Sequence, residues 1–319
     1  MTSSILCFGE ISWDFATQVD ILPQGESDSQ VRGQNEGPGG CAFNTAAALS
    51  CLGHQVILSG NEIGQDDNGI KLKTVISEYA LITMPDIETR NFRSESIKIK
   101  TPACQIFIET NSGKRSFVLF HQDIQKVPQK LDSTRQLLES NTIQYAFLQC
   151  YLRSAVESLL KNLKTKTVLM TQDLLPGDDL IPHFPILQIS APDDFDLKKL
   201  QLRSEPYLNQ GTKLLIITCG ANGVFCASQE LFEGAESYLF GTGEKAFYIY
   251  QEQQEKPKVL DTTGCGDAFR AGFLYGMSHG KSIQKSLSIG QCVAAAKSEI
   301  SGSCLPTQLN YLLQKISQI

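Results

Sequence analysis

The chain has 319 residues, 41% of them hydrophobic and 19% charged, and its formal net charge is −6. This composition excludes intrinsic disorder and a collagen-like chain, and domains of roughly 100 to 200 residues allow one large domain or two small ones. The acidic balance and the lack of a long Lys or Arg run argue against nucleic acid or an anionic membrane surface as partner. A phosphate site would therefore have to use local backbone donors.

The sequence predicts neither a secretory leader nor a membrane span. The apolar run at 5–8 lacks a basic flank, and no stretch approaches about 18 consecutive apolar residues. The ten cysteines form no C-x-x-C pair, and the four histidines stand at no metal-ligand spacing. We therefore expect reduced cysteines, no zinc site and a cytoplasmic protein.

Short apolar runs alternate with helical patterns from the first residues onward. Residues 5–8 read as a buried strand, 20–37 as a loop with an exposed strand, and 39–53 as a helix of small residues. A strand at 56–58 and a helix at 70–79 follow. The runs at 104–108 and 116–120, separated by an Asn-Ser-Gly-Lys turn, predict a hairpin.

The second half of the chain repeats this alternation. The predicted strands are 145–148, 167–171, 186–189 and 213–218, with a hairpin from 223, and the predicted helices are 153–163, 195–209, 267–279, 283–299 and 306–317. Such short apolar runs between helices predict a parallel sheet covered on both faces. The expected architecture is one α/β domain over residues 1–319, with a small β flap built from segments 15–37 and 97–120.

The segment Asp261-Thr-Thr-Gly-Cys-Gly-Asp267 carries most of the functional information. Gly264 and Gly266, followed by a small-apolar helical pattern, place consecutive backbone N–H groups at a helix start, where anions bind readily. Asp267 would project from the same turn and could accept a proton from a substrate hydroxyl. Alternatively, Asp267 is only a favourable first-turn charge or an N-cap.

A second Gly-rich turn enters a helix at Gly37-Pro-Gly-Gly-Cys-Ala-Phe-Asn44. Gly39 and Gly40 would let a ligand approach the backbone, and Asn44 would offer it both a donor and an acceptor. The alternative is a tight turn followed by a polar residue on an exposed face.

Two familiar nucleotide motifs are absent. A P-loop before Gly280-Lys281-Ser282 would need glycine at position 275, which is Tyr275. A dinucleotide fingerprint after Gly266 would need Gly or Ala at position 269, which is Phe269.

Together these segments resemble the ribokinase, or PfkB-type, carbohydrate kinase family, and the resemblance covers nearly the whole chain. The matching segments are the block 39–53 with its continuation 63–69, the block 261–267, the nucleotide-site turn 218–223, and Gly9-Glu10 with Asp14, which is similar to the opening of fructokinase-type members. The resemblance implies a three-layer α/β/α domain with a central, mostly parallel sheet and a small β lid. It also implies an ATP-dependent phosphotransferase that uses Mg²⁺ and acts on a hydroxyl, preferentially a primary one, of a sugar or sugar-like substrate.

The resemblance also implies a role for each matching residue. The residues so implied are Asp14, Gly40 and Asn44 for the sugar; Gly264, Cys265 and Gly266 for the anion hole; Asp267 as the base; Thr218, Gly220 and Gly223 for the nucleotide; and Asp261 and Thr263, with backbone near Gly302, for a monovalent cation such as K⁺.

One family motif is altered. The N-x-x-E motif, which acts on Mg²⁺ and phosphate, is expected in the segment 189–195, where Pro192 and Phe195 occupy the Asn and Glu positions. A shifted register would bring Asp193 or Asp194 into play. The arrangement of the metal therefore stays open.

Two other functions remain open at this stage. A nucleoside kinase of the same architecture would need aromatic stacking, and Trp13, Phe15 and Phe43 lie near the expected pocket. A catalytically weak sugar sensor or partner-binding member is opposed by the intact Asp267 and mildly favoured by the altered N-x-x-E motif.

The sequence leaves the lid contacts and the oligomeric state open. Arg90, Arg93 and Arg115 are substrate contacts or solvated surface charges, and a surface position is the favoured interpretation for each. Because lid strands with exposed edges often pair between subunits, a homodimer through the lid is expected.

Overall fold

The structure is a computed structural model, and it describes residues 4–85, 99–111, 115–120, 129–253, 257–307 and 310–319. Within these residues, ten strands form one large sheet. In order across the sheet they are β13 (Glu236–Leu239), β14 (Lys245–Gln251), β12 (Val224–Ser228), β11 (Leu214–Thr218), β10 (Ile186–Ser190), β9 (Val168–Gln172), β8 (Ile143–Leu148), β1 (Ser4–Gly9), β4 (Val56–Gly60) and β5 (Ile82–Thr83). Pairing is parallel from β11 to β5 and antiparallel at the β12, β14 and β13 edge.

Helices cover both faces of this sheet. They are α1 (Cys41–Cys51), α2 (Asp67–Glu78), α3 (Leu131–Glu139), α4 (Arg153–Leu160), α5 (Leu197–Asn209), α6 (Cys265–Ser278), α7 (Ile283–Ser298) and α8 (Asn310–Ile316). Successive side chains of a strand point to opposite faces. Accordingly, Ile5 and Cys7 of β1 pack into a core with α1, α6 and α7, whereas Leu6 and Phe8 pack into a second core with α4 and α5.

A separate four-stranded sheet stands beside the large one. Its strands, in order, are β3 (Val31–Gly39), β2 (Ser12–Val19), β6 (Ala103–Glu109) and β7 (Arg115–Leu119). The β2–β3 pairing continues to Ser12 opposite Gly39, directly before α1. The predicted fold class, a mostly parallel sheet flanked by helices with a separate smaller sheet, is confirmed.

Several element boundaries differ from the prediction. The flap strands begin at Ser12 and end at Gly39, beyond the predicted segment 15–37, because their ladder extends to the start of α1. The other segment forms strands only from Ala103, and its residues 97–98 and 112–114 lie outside the described residues. The helix predicted at 153–163 ends at Leu160, and Asn162 adopts a left-handed φ of 57°.

The described part of the chain contains no helix that is both long and apolar enough to cross a bilayer. All ten cysteines are free thiols, as predicted, and seven of them are buried.

Candidate active site

A cleft of about 720 Å³ lies between the two sheets. Its floor is the carboxyl edge of the parallel strands, where Glu10 follows β1, Gln149 follows β8 and Asp173 follows β9. The N-cap residues of α1 and α6, Gly40 and Gly264, also line it. This edge is where open α/β sheets bind ligands.

The fold brings part of the predicted site together here. Asp14, Gly40, Asn44, Thr263, Gly264 and Asp267 line this one cleft. The predicted nucleotide residues lie elsewhere, at the end of β11.

Helix α6 begins directly after Gly264, which adopts a left-handed φ of 78°. A Cβ at this position would also collide with the backbone carbonyl oxygen of Ser303, so the turn requires glycine. No side chain caps the helix. The Cys265 amide donates to the Thr262 carbonyl at 3.2 Å, so the amides of Gly266 and Asp267 are the ones best placed to meet an anion.

Asp267 lies in the first turn of α6 and is 7% exposed. One carboxylate oxygen accepts from Asn44 Nδ2 at 3.0 Å, and the other accepts from Arg270 Nη1 at 2.9 Å. The N-cap interpretation of Asp267 is wrong, because Gly264 is the N-cap. A carboxylate has about four lone-pair positions, so Asp267 can still accept a proton from a ligand in the cleft.

Arg270 is the buried counter-charge of Asp267. It is 1% exposed, and Nη1 also donates to Thr45 Oγ1 at 2.9 Å. Its Nη2 donates to Gln172 Oε1, and its guanidinium stacks 3.9 Å from the ring centroid of Phe147. A buried charge needs such a partner to offset its desolvation.

At the start of α1, Gly40 adopts a φ of 90°, and a Cβ there would collide with the Glu10 carbonyl oxygen. Asn44 is 6% exposed, which makes the interpretation of an exposed polar residue wrong. Its Oδ1 has no hydrogen-bond partner among the described residues. Because buried polar atoms are normally satisfied, this oxygen is available to a donor from a ligand.

Two carboxyl groups at the cleft floor are partly buried, and the pKa of each is raised. Burial, followed by the negative charges of Asp14 and Asp267, raises the pKa of Glu10 to about 7. Burial also raises the pKa of Asp14 to about 6, against a hydrogen bond from Ser12 Oγ at 2.8 Å that lowers it. Asp14 is in β2, opposite Gly37 and Cys104, so the small sheet carries it into the cleft.

Several cleft residues were not predicted from the sequence. Gln149 accepts from the Glu10 amide at 2.7 Å through Oε1. Asp173 has a left-handed φ of 56°, and burial raises the pKa of its carboxyl. The available signal was positional, since Gln149, Gln172 and Asp173 stand where parallel strands end.

The small sheet and the cleft rim contribute Phe117, Arg115, Tyr151 and Arg153. Arg115 is exposed and lines the cleft, and Arg90 and Arg93 lie outside the described residues. Arg153 is already paired, with Glu157 and Asp178 each at 2.8 Å and with Asp179.

The aromatic residues proposed from the sequence lie elsewhere. Phe43 is fully buried and packs edge to face against Tyr79 at 5.7 Å. Trp13 is 5% exposed, and Phe15 packs against Phe120. None of the three lines the described cleft, whose aromatic residues are Phe117 and Tyr151.

A second cavity, of about 430 Å³, lies beside the turn that follows β11. Thr218 ends β11, and the turn Gly220–Asn222 and Gly223 follow. Ala221 and Asn222 line this cavity, together with Tyr250, whose hydroxyl donates to the Asn222 carbonyl at 2.8 Å.

The altered motif segment borders the same cavity. Asp193 and Phe195 line it. The carboxylate of Asp194 instead pairs with Lys199 Nζ at 3.0 Å and is 84% exposed. Of the two aspartates, Asp193 is therefore the one placed at the cavity.

Asp261 and Thr263 lie in the loop before α6. The Asp261 carboxylate accepts from the Thr263 amide at 2.8 Å and from the Gly302 amide at 2.9 Å. The Thr263 hydroxyl is buried without a hydrogen-bond partner among the described residues. The Asp261 carboxylate thus joins the backbone at Gly302 to this loop.

Comparison with known proteins fits this geometry. Residues 2–309 match the model of the pfkB family carbohydrate kinase. The chain belongs to this family. It is therefore a carbohydrate kinase by family, and its fold is ribokinase-like.

Individual relatives are distant. Ketohexokinase of Mus musculus is 23% identical over 313 residues, which cover 93% of this chain and 97% of the relative. Arabidopsis thaliana ribokinase, solved with ribose and ATP, superposes with a TM-score of 0.67 at 16% identity over 100% of both chains. A nucleoside kinase of Methanocaldococcus jannaschii superposes with a TM-score of 0.66 at 18% identity over 99% of both chains.

Proposed function

We propose that the protein transfers the γ-phosphoryl group of ATP to a primary hydroxyl of a sugar or sugar-like substrate, with Asp267 as the base. The observation that carries this proposal is the position of the Asp267 carboxylate, in the cleft and in the first turn of α6, whose N-terminus has no side-chain cap. A proton acceptor and an anion site next to each other are what phosphoryl transfer to an alcohol needs.

The substrate hydroxyls would be held by Asp14 and by the unsatisfied Oδ1 of Asn44, with the ligand lying against the backbone at Gly40. Asn44 also donates to Asp267. It therefore links substrate binding to the base, so the accepting hydroxyl and the carboxylate are positioned together.

In the reaction, Asp267 takes the proton of the substrate hydroxyl while the hydroxyl oxygen forms a bond to the γ-phosphorus. The bond between the γ-phosphorus and the bridging oxygen breaks, and ADP leaves. The amides of Gly264, Gly266 and Asp267, with the positive end of the helix dipole, would stabilise the charge on the transferring group. Cys265 was expected to donate a further amide, but that amide is engaged by Thr262. We therefore assign Cys265 to the turn geometry.

We propose that the nucleotide lies along Thr218, Gly220 and Gly223 and enters the second cavity. Mg²⁺ usually keeps several waters and needs only one or two protein carboxylates beside the phosphates. Asp193 at this cavity fits that requirement, although no group of three potential ligands occurs among the described residues. When bound, Mg²⁺ would neutralise phosphate charge.

The charges of the cleft support a substrate without a phosphate of its own. Five acidic side chains line it, and one of its two arginines, Arg153, is already paired with three carboxylates. An anionic substrate would meet net repulsion there. A nucleoside is the second candidate, because Phe117 and Tyr151 line the cleft and could stack on a base.

We also propose a homodimer through the small sheet, which would act as a lid within a single domain. The edge strand β7 is exposed along its whole length, and Val118 is 50% exposed. Unpaired edges of this kind favour strand pairing with a second copy. Light scattering after gel filtration should give a dimer mass, which V118K should lower to the monomer mass.

The test of function is ATP consumption across ketoses, aldoses, sugar acids, sugar phosphates and nucleosides, with Asp267→Asn as the matched variant. We expect turnover on one class of unphosphorylated substrate, reduced by about 100-fold or more in the variant. Turnover that the variant retains would refute Asp267 as the base. Binding without turnover would favour the sensor interpretation.

A further inference from the structure

A lysine is fully buried behind the proposed anion hole. Lys297 lies in the last turn of α7 and has 0% exposure. Its Nζ donates to the backbone carbonyl oxygen of Ile300 at 3.0 Å and to that of Asp261 at 3.3 Å. No carboxylate of the described residues forms an ion pair with it at 4.0 Å or less.

These two carbonyls belong to the segments that shape the start of α6. Asp261 opens the loop that ends at Gly264, and Ile300 opens the loop that reaches Ser303. Gly264 lies against the Ser303 carbonyl, and the Asp261 carboxylate accepts from the Gly302 amide. The lysine therefore joins the two loops, with one hydrogen bond to each.

The expected K⁺ site does not fit these residues. A monovalent cation at Asp261 would need carbonyl and carboxylate oxygens that converge on an open space. Instead, the carbonyl oxygens of Asp261 and Ile300 already accept from the Lys297 ammonium group, and each carboxylate oxygen of Asp261 accepts one backbone amide. The ammonium group thus supplies a positive charge between these two carbonyl oxygens.

We infer that the Lys297 ammonium is a built-in replacement for the monovalent cation, so that the proposed phosphotransfer does not depend on K⁺. An ammonium group carries the same charge as K⁺ and bonds to the same carbonyl oxygens. Because it is covalently attached, its local concentration is fixed and does not depend on the salt in the buffer. The inference rests on the proposed function for its activity measurements, but not for its stability measurements.

The first measurement uses the wild-type protein in K⁺, Na⁺ and tetramethylammonium buffers of equal ionic strength. We expect the turnover number to agree within twofold among the three buffers. The midpoint of thermal unfolding should agree within experimental error. A saturable rise of turnover or of the unfolding midpoint with K⁺ would overturn the inference.

The second measurement uses two variants of Lys297. Lys297→Ala leaves space beside the carbonyls, whereas Lys297→Met fills that space without a charge. In tetramethylammonium, we expect both variants to lose turnover at least tenfold. K⁺ or NH₄⁺ should restore turnover to Lys297→Ala and raise its unfolding midpoint, and neither ion should do so for Lys297→Met. Lys285→Met, at an exposed lysine of the same helix, is the control and should match the wild type.

The two kinds of failure are distinguishable. If no substrate supports turnover, the proposed function fails, and the K⁺ dependence of the unfolding midpoint of wild type and Lys297→Ala still decides the inference. If Lys297→Met is as active and as stable as the wild type, the ammonium is not required and the inference is refuted.

Discussion

Replacing Arg270 with methionine should destabilise the protein strongly, because it leaves the Asp267 carboxylate buried without its counter-charge. Arg270 is 1% exposed, and Asp267 is 7% exposed. Removing one member of a buried ion pair costs about 3 to 5 kcal/mol. Methionine retains much of the packing against Phe147, so the loss should come mainly from the unpaired charge and from the lost hydrogen bonds to Thr45 and Gln172.

Equilibrium unfolding in urea measures this change, and Arg153→Met is the matched control. Arg153 also pairs with carboxylates but is 42% exposed, so its loss should cost about 1 kcal/mol or less. In the double variant Asp267→Asn/Arg270→Met, the two losses should fall short of additivity by about 2 kcal/mol or more. A loss in Arg270→Met no larger than that in Arg153→Met would refute the assignment of a buried ion pair.

Three further predictions follow from the same geometry. Asp267→Asn should lower kcat by about 100-fold or more with little change in KM, measured by steady-state kinetics. Gly264→Ala should lose more stability in thermal unfolding than Gly280→Ala. Both glycines have a positive φ, but only a Cβ at position 264 would collide with the Ser303 carbonyl. Equal losses would show that this collision does not matter. The pKa of Glu10 is raised from 4.5 to about 7 on folding, so the folded state binds the extra proton, and the free energy of unfolding should fall as pH rises through that window. In urea titrations between pH 4.5 and 8, Glu10→Gln should reduce this decrease in the free energy of unfolding by about 1 kcal/mol or more. An unchanged pH dependence would contradict the raised pKa of Glu10.

The fold could be predicted from the sequence because its signals are local. Apolar runs of four or five residues between helical patterns give the parallel sheet without any knowledge of contacts. The start of α6 was predicted to within two residues, because Gly264 and Gly266 precede the helical pattern expected from 267, and the helix begins at Cys265. The ends of elements were less accessible, because pairing extends β2 and β3 beyond the polar segment that marked them.

The charged partners of the site were harder to predict because their burial depends on distant segments. The spacing of Asp267 and Arg270, three residues apart on a helix, is compatible with an ion pair. However, only Thr45, Gln172 and Phe147, which come from three other elements, make that position buried. In the same way, a lysine in a last helical turn normally points to solvent.

The two buried cations explain how an acidic cleft could accept a transferring phosphoryl group. Glu10, Asp14 and Asp267 would repel it, whereas Arg270 offsets one carboxylate and Lys297 holds the loops that present the N-terminus of α6. Because both cations are fixed before the reaction, no reorganisation is needed when charge develops. Their variants should therefore fail differently. Loss of Arg270 acts on the position of the base and should lower kcat equally in K⁺ and in tetramethylammonium. Lys297→Ala acts on the loops and should create a dependence on K⁺.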